Sequence, residues 1–153
     1  MNFGQVFSSL SSAAAVSQTI RSLIRNTRGT RRGLLLELQK NIDLMYLHTK
    51  GGAPIDKVAA RLDVRQYEHA SRSGFDFNSL QRRPVRAELV KDNPSLRPYA
   101  GWTTEQLFER VYLKIHDLKN IVSIDPQNER LRPHVRLLNI FRLMLLLLQH
   151  LKS

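Results

Sequence analysis

An uninterrupted apolar run near the end of the chain places the strongest constraint on the fold. Residues 143–148 read Leu-Met-Leu-Leu-Leu-Leu, with Arg142 before them. Successive residues of a helix are rotated by about 100°, so a run of this length covers the whole circumference and leaves no face for water. We predict that this helix lies at the centre of a bundle. The alternative is a homo-oligomer or complex-subunit contact through the last helix.

Apolar residues recur at helical spacing through most of the chain, and the period-two alternation typical of strands is absent. Residues 63–100 are less regular and contain only short helical patterns. The length of 153 residues suits one domain. We therefore predict one all-α domain, residues 1–153, of four-helix-bundle type, with a long, partly helical connection between the second and third main helices. The main helices are predicted near residues 3–26, 31–49, 103–122 and 127–152.

Local signals predict where several helices begin and end. Gly29 is expected to stop the first helix, because glycine is common just past a helix end. Thr103 and Gln106 have the spacing of a capping box, and Trp102 before them fits a hydrophobic staple. Pro133 either kinks the last helix or restarts it, because proline lacks the backbone N–H that a helix interior requires.

Composition excludes several function classes. The chain has no cysteine, which excludes disulfides, thiolate zinc sites and cysteine nucleophiles, and which fits a cytoplasmic protein. No apolar stretch reaches the about 20 residues needed to span a bilayer. The 24 Lys and Arg residues exceed the 13 Asp and Glu residues, for a net charge of +11. Such an excess favours anionic partners such as nucleic acid or an acidic protein surface.

Two arginine clusters are the candidate binding residues. The first lines the end of the first helix and the turn after it, and the second lies near the start of the last helix. In an antiparallel bundle of four helices taken in chain order, both clusters would meet at one basic end. We predict a non-enzymatic binding module, an adaptor or small subunit of a larger complex, that docks an anionic partner there. The residues are Arg21, Arg25, Arg28, Arg31 and Arg32 in the first cluster, and Arg130, Arg132 and Arg136 in the second.

One spacing suggests an enzyme as the alternative. Arg110 and His116 lie on the third main helix in an Arg-x5-His arrangement. This resembles the Arg-x4-6-His signature of the HEPN ribonucleases, a family of small helical bundles that cleave RNA without metal. The resemblance implies that Arg110 stabilises the phosphate charge and that His116 handles the proton. The family usually has a polar residue directly after the arginine, whereas this chain has Val111.

The beginning of the chain suggests a second alternative. Phe3, Val6, Phe7 and Leu10 recur at helical spacing opposite serine and glutamine. An amphipathic first helix of this kind is compatible with a membrane-interacting effector bundle, although its first 20 residues are poor in Lys and Arg on the polar face.

No metal or cofactor is predicted. The histidines show neither i, i+4 pairing with one another nor an H-E-x-x-H motif. The glycines lack the spacing of a phosphate-binding loop, and no G-x-S-x-G motif of a serine hydrolase occurs. The five histidines are His48, His69, His116, His134 and His150.

Overall fold

The computed structural model describes residues 12–153, and in this range the fold is all-α, as predicted. Short 3-10 turns lie in the connections between helices. No helix of the described range is both long and apolar enough to cross a membrane. The helices, in chain order, are α1 (Ala13–Ile24), α2 (Gly29–Thr49), α3 (Ile55–Arg61), α4 (Arg65–Arg72), α5 (Thr104–Ile124) and α6 (Pro133–Lys152).

The apolar run of α6 forms the centre of the core. Each side chain from Leu143 to Leu148 is at most 1% exposed. The helix is surrounded by α5, α2 and α1. Burying a side chain of this size contributes about 1.5–3 kcal/mol, so this run is a main source of stability. Because the run is covered within the chain, it is not available for the oligomer contact considered as the alternative.

The directions of the helices follow from two contacts at opposite ends of α6. At its beginning, His134 Nδ1 lies 3.0 Å from His48 Nε2 near the end of α2. At its end, His150 Nε2 lies 2.8 Å from Thr104 Oγ1 at the start of α5. Helix α6 therefore runs antiparallel to both α2 and α5, and those two helices are parallel. Residues 50–103 carry the chain back to the end of the bundle from which α2 starts.

A buried carboxylate ties this connection to the core. Glu37 of α2 accepts hydrogen bonds from the backbone N–H groups of Gln66 and Tyr67 and from the Tyr112 hydroxyl, the last at 2.8 Å. The amides belong to the first turn of α4, whose N-cap residue Val64 provides no side-chain cap. Glu37 thus caps α4 from another helix. Burial raises the pKa of Glu37, and the three donors oppose that shift.

Two further side chains fix the short helices. Asn41 of α2 exchanges two hydrogen bonds with the backbone of Asp63, at 2.7 and 2.8 Å. The Lys119 ammonium of α5 donates to the Leu62 carbonyl at 2.7 Å and to two other carbonyls at the end of α3. The last carbonyls of a helix lack the amide that would follow them in a longer helix, so Lys119 supplies a donor where α3 ends.

Some boundaries of the first two helices differ between the prediction and the structure. The Ser12 side chain accepts a hydrogen bond from the first turn of α1, so this helix begins at Ala13. Residues 3–11 of the predicted first helix lie outside the described residues. Gly29 does not stop the first helix and instead opens α2. The turn contains Asn26 at φ 68°, a left-handed conformation that asparagine tolerates better than most residues.

The later boundaries follow the local signals more closely. The capping box is confirmed, because Thr103 accepts from the Gln106 amide at 3.2 Å and donates its own amide to the Gln106 side chain at 2.9 Å. Pro133 restarts the chain as the first residue of α6, so the last helix begins there and not near residue 127. A separate 3-10 turn, Glu129–Leu131, precedes it.

Candidate anion-binding groove

The two arginine clusters lie at opposite ends of the bundle. Arg31 of the first cluster lines a small cavity with Leu151 at the end of α6, whereas the second cluster surrounds the beginning of α6. With 20 residues, α6 is about 30 Å long. The prediction of one combined basic end is therefore wrong. The long connection brings the chain back to the end of the bundle from which α2 starts, so α5 is parallel to α2. Helix α6 therefore runs opposite to the direction that it would have in a simple up-down-up-down bundle.

The second cluster contributes to a groove along α5 and α6, which we call the basic groove. It consists of two cavities of about 280 and 170 Å³ that share Lys114 and Asn139 as lining residues. Five cationic side chains line it, and Asp117 is its one acidic lining residue. The cations are Lys114, Arg130, Arg132, Arg136 and Arg142.

The start of α6 positions the arginines of this groove. Arg132 has φ 49° and ψ 59°, so the chain turns sharply before the proline that opens the helix. A left-handed conformation costs a residue with a side chain about 1–2 kcal/mol. The Arg136 Nε donates to the Leu131 carbonyl at 2.7 Å, which fixes that guanidinium at the groove. The α6 N-terminus adds the positive end of the helix dipole at the same place.

Arg142 at the other end of the groove is partly buried and lacks an acceptor. Its Nε is buried and has no hydrogen-bond partner within the described part of the chain. It lies beside Tyr99 and Leu96 of the connection, on the wall of the smaller cavity. Leaving a buried donor unsatisfied costs about 1–3 kcal/mol. Because Arg142 also lines the smaller cavity, an anion bound there would lie next to a guanidinium whose Nε has no partner within residues 12–153.

None of the groove cations is neutralised by an ion pair in the described part of the chain. The arginines of the first cluster are exposed, and they also form no ion pair with any of residues 12–153. Both sets of charges are therefore free to attract an external anion. The second set lines one shared groove with three arginines, whereas in the cavity next to Leu151 the first set contributes Arg31. The ion pairs that do occur among residues 12–153 are Lys40–Asp63, Arg65–Asp63, Arg82–Asp76 and His116–Glu68.

The structure does not bring Arg110 and His116 together within the chain. Six residues of helix separate them by about 9 Å along the axis and about 120° around it. The Arg110 guanidinium lies over the Trp102 ring, 5.4 Å from its centroid. His116 Nε2 lies 3.3 Å from Glu68 Oε1 of α4. Each side chain thus has its own neighbour in the described part of the chain.

A histidine pair joins the end of α2 to the start of α6, and sequence reasoning did not anticipate it. His48 Nε2 lies 3.0 Å from His134 Nδ1, and His48 Nδ1 lies 2.7 Å from the Ala53 carbonyl oxygen. Their separation of 86 residues gives no sequence signal. Among residues 12–153 no group of three or more His, Cys, Asp or Glu side chains has an arrangement that could hold a metal ion.

Sequence reasoning also missed Lys114, Asn139 and Arg142 as groove residues. A signal was nevertheless present, because Lys114 and Arg142 are charged residues inside strongly apolar helical patterns. Such a residue either extends its charged end to solvent or meets a partner. Their convergence depends on how α5 and α6 pack, which the two patterns do not specify individually.

Comparison with known proteins does not supply an identity for the groove. No protein-family model, curated protein sequence or solved structure matches the chain. The interpretation of the groove therefore depends on its own residues, shape and charge.

Proposed function

We propose that the protein is a binding module that holds the backbone of a nucleic acid in the basic groove. The observation that carries this proposal is the pair of adjoining cavities lined by five cations and one acid. Phosphate oxygens accept hydrogen bonds from arginine and lysine side chains, and the planar guanidinium suits phosphate especially well. Arg142 lines the smaller cavity and has an Nε without a partner in the described part of the chain, which supports it as a donor to such an acceptor.

The shape of the groove favours a polymer over a single small anion. Arg132 directly precedes α6 and Arg142 is the tenth residue of that helix, so the two lie about 15 Å apart along its axis. A nucleic acid strand in B-form geometry advances about 3.4 Å per phosphate, so roughly four phosphates match this length. A row of cations along a helix complements regularly spaced charges better than the scattered carboxylates of a folded protein surface. The net charge of +11 adds long-range attraction.

The test compares two variants that remove the same charge, one from the basic groove and one from the first arginine cluster. Lys114→Gln with Arg130→Gln alters the basic groove, and Arg21→Gln with Arg25→Gln is the matched control. Binding of a fluorescent single-stranded RNA 20-mer, its DNA equivalent and a DNA duplex is measured by anisotropy between 50 and 300 mM salt. Circular dichroism establishes that both variants remain helical.

The groove variant is expected to bind about tenfold more weakly at 100 mM salt, because two phosphate contacts are lost. The slope of log K against log salt should fall by about 1.4 for a single strand. The control should stay close to the unmodified protein. Equal weakening in both variants would mean that net charge, and not the groove, is responsible. No binding of RNA or DNA at 50 mM salt would leave an acidic protein as the anionic partner.

A further inference from the structure

The outward face of α2 carries apolar side chains that the fold leaves open. Leu36 is 42% exposed and Leu47 is 54% exposed. With Lys40 and Asp43 they lie at spacings of four, three and four residues, which keeps them on one side of the helix. We call these four residues the α2 stripe. They line an open cavity of about 690 Å³ together with Gln39, Leu44 and Arg61.

When the α2 stripe is paired with a second copy running in the opposite direction, each side chain meets a complementary one. It reads apolar, basic, acidic, apolar in one direction and apolar, acidic, basic, apolar in the other. A two-fold axis through the middle of the stripe would place Leu36 against Leu47 of a second copy and Lys40 against Asp43 of that copy. Each contact then occurs twice, as a two-fold symmetric interface requires. We infer that the α2 stripe is the contact surface of a homodimer in which two α2 helices pack antiparallel.

The charges around the stripe support a second copy as the occupant. Asp43 has no hydrogen bond or ion pair with any described residue, and burial raises its pKa. Lys40 pairs with Asp63 at 2.9 Å, but Arg65 holds the same carboxylate at 2.7 Å. Lys40 is therefore able to turn toward the second copy without leaving Asp63 unpaired. Arg61 at the rim of the cavity supplies another cation for the second copy's acid.

The area of the α2 stripe determines how strongly the two copies are expected to associate. One pair of crossing helices provides less than the about 1,200 Å² of a standard interface, so the dimer should be weak and concentration-dependent. The net charge of +11 on each copy adds repulsion. Measurements therefore belong at 150 mM salt or above, where charges separated by more than about 8 Å are largely screened.

Sedimentation velocity between 10 and 500 µM tests the inference with two charge variants. Lys40→Glu places two acids against each other in a homodimer, and Asp43→Lys places two bases against each other. Each variant alone should lose at least about tenfold in association constant, because like charges face each other twice. An equimolar mixture of the two variants should associate again, since an acid would face a base at both of these contacts in the heterodimer.

Leucine variants with matched exposure provide a readout that does not depend on charge. Leu47→Ser should weaken association, whereas Leu113→Ser on α5, where the leucine is 52% exposed, should not. Circular dichroism checks that each variant is folded. A wild-type chain that stays monomeric at 500 µM would overturn the inference. Single charge variants that associate as well as the wild type, or a mixture that does not recover association, would overturn it as well.

Discussion

His150 provides a prediction about stability whose size follows from the structure. Its side chain is completely buried, and Thr104 Oγ1 lies 2.8 Å from its Nε2. Because that hydroxyl donates to the Gln81 carbonyl, it accepts from His150, which places the ring proton on Nε2. The buried Nδ1 has no hydrogen-bond partner in the described part of the chain. Burial, and then the charge of Arg86, lower the pKa of His150 from 6.5 to about 4.

The sign of the pH effect follows from linkage. The fold favours neutral His150, so its contribution is fully present above the unfolded pKa of 6.5 and is lost as pH falls through about 4. The difference between these two pKa values corresponds to about 3 kcal/mol of unfolding free energy. Protonating His150 in place would put a charge in the core, and the chain responds by becoming easier to unfold.

Urea unfolding at pH values from 8 to 4, with His150→Gln as the comparison, measures this effect. Glutamine keeps a donor for Thr104 but has no titrating group in this range. The wild type should lose about 3 kcal/mol more than the variant between pH 7 and pH 4. Groups such as Glu37 titrate in both proteins and therefore cancel in the difference. Parallel stability curves for the two proteins would refute the assignment of a buried, neutral His150.

Three other substitutions test the core and the groove. Tyr112→Phe should lower the unfolding free energy by about 2 kcal/mol in urea titrations, because Glu37 loses a donor; Tyr67→Phe is the control, and equal losses would contradict this role. Arg132→Gly should raise stability by up to about 1 kcal/mol by relieving the left-handed backbone, yet weaken nucleic acid binding; unchanged affinity would place Arg132 outside the site. Arg142→Met should leave stability equal or about 1 kcal/mol higher, since a buried unsatisfied donor is removed, and should reduce affinity about tenfold. A loss of stability in Arg142→Met would mean that this guanidinium is satisfied within the fold.

The secondary structure and the core could be predicted because they depend on local patterns. The apolar run of α6 covers a whole helix circumference, and it is buried as that pattern requires. In α2, apolar residues also recur at spacings of three and four, and they lie in the core: Leu35, Leu38, Ile42 and Met45. A capping box involves residues three apart, so the start of α5 was visible in the sequence.

The direction of α5 could not be predicted, because it depends on where a connection of about fifty residues leads the chain. The contacts that fix this connection join distant residues, such as Glu37 with Tyr112. Each lies eight residues after the first residue of its helix, which reflects the parallel packing of α2 and α5. No periodicity within either helix indicates this pairing.

Only part of the candidate site could be predicted, because its other residues are brought together by the packing of two helices. Arg130, Arg132 and Arg136 are close in sequence, and the structure places them along one cavity. Lys114 and Arg142 come from the facing sides of α5 and α6, so their contribution appears only once the two helices are packed. The cluster around Arg25 is dense in the sequence, but its arginines are exposed. They do not line the cavities that the second cluster lines.

The most direct measurement of the central claim records the Nε–Hε signals of arginine side chains by NMR during titration with a short single-stranded RNA. Binding in the basic groove predicts that the Arg142 signal shifts most, because its buried Nε–H has no acceptor within the described chain. The signals of Arg21 and Arg25 at the other end of the bundle should stay nearly unchanged. Shifts confined to Arg21 and Arg25, or no shift at Arg142 at saturating RNA, would contradict the proposed function.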